Sequence, residues 1–151
     1  MSTDDGHCTI IKKYGHKPLK YPVFVLIDND DGANGAKRLF SVIKQNFEIS
    51  IGLKSDDPFY YITDNLYLVK TVKKGNSGKS CIEDCFEQSL LKTKIRGKSC
   101  DPSKDGGSSG GYGKYVFAER VVKPNADKIN VDGFKPLLAR IAAAIEDYNA
   151  P

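Results

Sequence analysis

Residues Pro22 to Gly32 read PVFVLIDNDDG, five apolar residues in succession that stop on a cluster of carboxylates. Val23, Val25 and Ile27 are β-branched, so the run predicts a strand. Its unbroken apolar character predicts burial on both faces, as at the centre of a parallel sheet. Carboxylates at the carboxyl end of such a strand stand where open α/β sheets bind ligands. Asp28 and Asp30 are two residues apart, which puts both on the same side of an extended chain. With Asp31 beside them they form a set of hard oxygen ligands suited to Mg²⁺ or Mn²⁺.

Downstream of the acids, Ala36, Leu39, Phe40, Ile43 and Phe47 recur at steps of three and four, so residues 31–47 predict a helix with one buried face. Asp30 or Asp31 also suits the cap of that helix, where a carboxylate satisfies unpaired amides and meets the positive end of the dipole. Upstream, residues 1–6 read as a loop and His7 to Tyr14 as a short helix closed by Gly15 and Pro18. Ile49, Ile51 and Leu53 have strand spacing. Phe59 to Thr63 and Leu66 to Thr71 are two strand-like runs separated by Asp64 and Asn65, which predicts a hairpin.

The basic loop from Lys73 to Lys79 runs into GNSGKS (75–80), but Gly75 and Gly78 have only two residues between them where a phosphate-binding P-loop needs four. The expected structure here is a helix capped by Ser80, with Glu83 completing a capping box and Ile82, Cys85, Phe86 and Leu90 inward. Residues 92–113 are polar and end in GGSSGG, a composition that predicts a mobile loop. Tyr112 to Val122 predict a helix closed by Pro124. In the last helix Phe134, Leu137, Leu138, Ile141, Ile145 and Tyr148 share one stripe, with Asp132 as cap and Pro136 in the first turn.

The chain has 151 residues, 40% hydrophobic and 28% charged, the balance of a globular domain with a real core. One domain over 1–151 is expected: a loop and helix over 1–21, an α/β core over 22–91, a flexible Gly/Ser loop over 99–113 and a helical part over 112–149. The opening MSTDDGHCTI carries acids where a secretory segment needs cations and an apolar core, and no apolar span is long enough for a bilayer, which favours the cytoplasm and no membrane. Cys8, Cys81, Cys85 and Cys100 lack paired C-x-x-C spacing and are expected as reduced, structural thiols. The net charge is +4, with nine Lys and Arg between Lys70 and Lys104. Such a stretch, Lys73, Lys74 and Lys79 included, either tracks phosphates or is a solvated face.

VLIDNDDGA resembles the second motif of Toprim domains, in which a buried strand ends in D-x-D and enters a helix after a small residue; Asp28, Asp30, Gly32 and Ala33 match it. PVFVLIDNDDGA, ITDNLYLVKT, SCIEDCFEQSLLKTKIRGK and GKYVFAERVVKPNADKINVDGFKPLLARI together resemble, in order, the Toprim-type domain behind the reverse transcriptase of one group of bacterial retrons. The resemblance implies an open, mostly parallel α/β sheet flanked by helices, with a helical C-terminal part. It implies magnesium-dependent cleavage of nucleic acid, DNA or RNA, as the effector of an anti-phage system, with a reverse transcriptase as partner.

By the same resemblance Asp28 and Asp30 hold the ion and Glu83 and Asp84 supply a second acidic cluster, Glu83 catalytic and Asp84 toward the metal, with Lys114 on phosphate. Toprim enzymes also carry a glutamate after an earlier strand. Here the first glutamate is Glu48. The expectation is therefore a domain lacking its first strand, or a catalytically incomplete metal-binding or docking module. A receiver-like phosphoacceptor shares the strand-end acids but calls for a five-fold strand-helix alternation that the region after Lys70 lacks.

Overall fold

The computed structural model describes residues 20–29, 36–52, 55–74, 78–101 and 110–150. It is a mixed α/β protein whose elements gather in two compact units, one of residues 1–80 with 137–151 and one of residues 81–136.

In the first unit β1 (Val23–Ile27) runs parallel to β3 (Leu66–Lys70), and β2 (Tyr60–Thr63) pairs antiparallel with β3, in the order β1-β3-β2. The hairpin turn is the two-residue one expected, with Asp64 in the left-handed region at φ 46, a conformation Asp tolerates better than most residues. β3 is the central strand and β1 lies at the edge of the described sheet, so the expectation of a β1 buried on both faces is overturned. Val23, Val25 and Leu26 are 42%, 38% and 39% exposed, whereas Tyr67 through Lys70 are all buried.

Helix α1 (Ala36–Phe47) buries Ala36, Phe40 and Ile43 against Ile62 and Leu68, as its period predicted. Tyr67 points to the opposite face, where Phe24, Phe59, Tyr61 and Tyr148 surround its ring at centroid distances of 5.6 to 6.4 Å. Helices thus cover both faces of the sheet. Ile49 and Ile51 pack on the α1 core without forming a strand; Leu53 lies outside the described residues, as does the expected helix of residues 7–14.

In the second unit a single helix from Ser80 is replaced by a 3₁₀ turn (Ile82–Cys85) and a one-turn helix, α2 (Gln88–Leu91). The reason is that Ser80 is held extended by an antiparallel bridge to Asn29, so the cap moves one residue on to Cys81, whose amide donates to Asp84 Oδ2 at 2.9 Å. β4 (Ser99–Cys100) and β5 (Gly111–Tyr112) pair in parallel within the stretch expected to be a loop throughout. Helix α3 (Lys114–Phe117) continues through a π-type turn (Ala118–Val122) into a 3₁₀ turn (Lys123–Asn125) that contains Pro124. Tyr112, Phe117 and Val121 form the core, and Phe86 meets Phe117 and Phe134 edge-on at 5.4 and 5.0 Å. Gly133 is obligatory at its position: a Cβ there would stand 2.1 Å from the Cys85 carbonyl oxygen.

A 3₁₀ turn (Asp132–Phe134) leads into α4 (Lys135–Tyr148), with Pro136 in its first turn as expected. Its buried residues are Leu137, Arg140 and Ala144, while Leu138, expected inward, is 58% exposed and Ile145 is also exposed. The helix is rotated from the apolar stripe because Arg140 has partners inside. Its guanidinium donates to the Lys70 carbonyl at 3.3 Å and to Asp56 Oδ1 at 2.6 Å.

Candidate metal and nucleic-acid site

Parallel pairing of β1 and β3 brings two strand ends together. Ile27 is in register with Lys70, and the Thr71 amide donates to the Ile27 carbonyl at 3.0 Å. Asp28 follows at once and is half-buried. Asn29 is fully engaged: its amide donates to the Ser80 carbonyl and to Thr71 Oγ1, both at 2.9 Å, and its side-chain amide donates to the Gly78 carbonyl at 3.2 Å. Thr71 Oγ1 also bonds to the Ser80 carbonyl at 3.0 Å and lies 2.7 Å from Ser80 Oγ.

These buried bonds close the two ends of the basic loop onto the residue after Asp28. Lys73, Lys74 and Lys79 therefore spring from the rim of the strand end that carries the first carboxylate, an arrangement sequence spacing alone did not reveal. Gly78, at φ 64, supplies the left-handed turn that returns the chain to Ser80. Asp28 is flanked by two backbone anchors, Ile27 and Asn29, so its position is fixed by the sheet and the loop together. Asp30 and Asp31 lie outside the described residues. Among the described residues no group of three or more His, Cys, Asp or Glu side chains is placed to hold a metal ion.

A second charged group borders the same strand ends and was missed at the level of sequence. Lys70 is fully buried, donates to the Ser55 carbonyl, and lies 5.8 and 5.5 Å from the ring centroids of Phe40 and Tyr60. Burial lowers its pKa, and the nearby Asp56 carboxylate partly offsets that. Asp56 bridges Arg140 to Lys73, whose ammonium is 4.0 Å away. Burial raises the Asp56 pKa, but the Arg140 hydrogen bond and charge outweigh it and hold the carboxyl below the usual value. The available signal was the period-two alternation of Leu66, Leu68 and Lys70, which places the lysine on the core face.

The remaining candidates belong to the second unit. Glu83 is buried, and Lys114 Nζ stands 3.0 Å from its Oε2, off the line of a good hydrogen bond. Asp84 spends its Oδ2 on the Cys81 amide and lies 3.4 Å from the Cys81 sulfur. The Cys81 thiol is pushed up to about 12 by burial and by Glu83 and Asp84, and Cys100 is raised by burial, Glu83 and Asp101. Thiols so shifted stay protonated near neutrality, in keeping with structural cysteines. Cys81, Cys85 and Cys100 are in no disulfide among the described residues, and Cys8 lies outside them.

No protein-family model matches the chain, and no solved structure matches it. No helix among the described residues is long and apolar enough to cross a membrane.

Proposed function

We propose that this chain is the metal-binding part of a Toprim-type nuclease that cleaves phosphodiester bonds in nucleic acid with Mg²⁺ or Mn²⁺, as the effector arm of a retron anti-phage system. The observation that carries this reading is the attachment of the basic loop to Asn29, which joins the strand-end acid to Lys73, Lys74 and Lys79. A divalent ion needs hard oxygen donors, and a nucleic-acid backbone needs cations around them. In this reading Asp28 holds the ion with Asp30 and Asp31, and the lysines draw the phosphodiester backbone to it. A bound ion supplies polarisation of the phosphate and a more acidic water. Glu83 and Asp84 form the second acidic cluster of the same reading, with Lys114 beside Glu83.

A second reading rests on the position of β1. Its outer edge has no partner strand among the described residues, and Val23, Val25 and Leu26 are exposed along it. An apolar edge strand is a template for pairing, which favours a docking module that joins a reverse transcriptase or a preceding strand and has no turnover of its own.

Labelled single-stranded and duplex DNA and RNA, incubated with and without Mg²⁺ or Mn²⁺, separate the two. The nuclease reading expects cation-dependent cleavage, by this chain or by a version extended at its amino end, that Asp28→Asn reduces at least a hundredfold. Cation-independent cleavage would overturn the metal-dependent reading, and no cleavage from either version would leave only the docking module.

A further inference from the structure

The second unit contains a cavity of about 360 Å³ between α2 and the π-type turn. Its size falls near the lower end of the roughly 300–1,000 Å³ typical of small-molecule sites, so it admits one small ligand. Leu90, Val121 and Ile129 give it apolar lining, and Arg120 and Lys128 give it two cations. Neither cation is in an ion pair with a described residue.

The cavity also holds a fixed acceptor. Asn130 Nδ2 donates to Glu87 Oε1 at 2.9 Å and Ser89 Oγ donates to Glu87 Oε2 at 3.2 Å, while Asn130 Oδ1 accepts from the Asp132 amide at 2.9 Å. The carboxylate is thus oriented by Ser89 of α2 and by Asn130 of the loop before Asp132, and each oxygen keeps a lone pair for a ligand. The opposite wall is the π-type turn, a distortion that recurs at functional sites. It is stabilised by the Asn125 side chain, whose Nδ2 donates to the Val121 carbonyl at 2.8 Å.

We propose that this cavity binds a nucleoside monophosphate, with guanine as the preferred base. The apolar lining takes the flat ring. Arg120, whose guanidinium fork matches phosphate oxygens, takes the phosphate together with Lys128. Glu87 accepts from the adjacent N–H donors on the guanine edge. Adenine sets acceptors beside its single donor group, and a carboxylate repels acceptors.

The test is calorimetric titration of the full chain, without divalent cations, against guanosine 5′-monophosphate, adenosine 5′-monophosphate and inorganic phosphate. One-to-one saturable uptake is expected, tightest for the guanine nucleotide. Arg120→Ala should weaken it at least tenfold, Glu87→Gln should remove the guanine preference, and Leu90→Trp should abolish binding by filling the cavity. Arg120 and Glu87 are exposed, so their variants keep the fold; a thermal melt checks Leu90→Trp. Asp28→Asn should leave this nucleotide uptake unaltered while it lowers any cation-dependent cleavage, which separates this site from the strand-end reading. Absence of saturable uptake, equal affinity for phosphate alone, or indifference to Arg120→Ala would overturn the proposal.

Discussion

β1 and β3 lie side by side in parallel register, yet the sequence ranks them the wrong way round. VFVLI is the more apolar strand and stands at the edge with three exposed residues, while LYLVK ends on a lysine and is the buried centre. The difference teaches that an apolar run identifies a strand and says little about its place in the sheet. Centrality comes from having a neighbour on each side, which β3 gains through the hairpin with β2 and the crossover from β1. A buried lysine is tolerable there because its ammonium finds a carbonyl and two aromatic faces.

The contrast is broken most directly by truncating equivalent positions. Leu68 and Val25 are register partners. Leu68→Ala should cost about 3 kcal/mol as a core cavity, and Val25→Ala less than about 1 kcal/mol at a solvated edge. Urea unfolding measures both, and similar losses would show that β1 is as covered as β3.

Next in size is Arg140→Met, which strips a donor from the end of β3 and a partner from Asp56. A loss of about 2 kcal/mol is expected, because hydrogen bonds to charged groups are worth roughly 1.5–3 kcal/mol. A loss below about 0.5 kcal/mol would mean that the surface-type value for ion pairs applies.

The middle of β3 also sets an alkaline limit. Tyr67 has its pKa raised to about 12 by burial and then by its hydrogen bond to Asp147, at 2.9 Å. A raised pKa favours the neutral phenol in the fold, so its contribution is complete below the ordinary value of 10.0 and is lost as pH rises toward 12. Urea midpoints at pH 9 and pH 11 should fall more for the native chain than for Tyr67→Phe, whereas equal slopes would assign the alkaline loss to other groups.

The smallest effect lies at the acid end. Asp56 is held below its ordinary value of 3.8, so its contribution is present above that pH and is lost as pH falls through the lower folded value. The carboxylate is 43% exposed, which keeps the effect small. Asp56→Asn should flatten the stability profile slightly below pH 4; a steeper acid limb in the variant would contradict the assignment.

Local patterns were legible wherever their cause was local. The α1 face, the Asp64-Asn65 turn, and Pro136 in the first turn of α4 all follow from side-chain period, turn chemistry or proline geometry within a few residues. In the candidate site, Asp28 and the basic loop were legible as residue types, but their connection was not. It depends on Asn29 meeting Thr71 across 42 positions and on Thr71 meeting Ser80. The capping box predicted at Ser80 moved to Cys81 for the same reason, since an exterior partner claimed the serine first.

What the sequence by itself determined is β1, the β2–β3 hairpin, the two amphipathic helices α1 and α4, and the residue types at their ends: strand-end carboxylates and a lysine-rich loop. What the tertiary structure alone decided is rank and orientation: which strand is central, which side of α4 faces inward, and where the loop is tied. Those outcomes turn on partners distant in the chain, 42 positions for Asn29 with Thr71 and 70 and 84 for Arg140 with Lys70 and Asp56. Side-chain period encodes which residues share a face, whereas the partner of that face is chosen only when the whole unit packs.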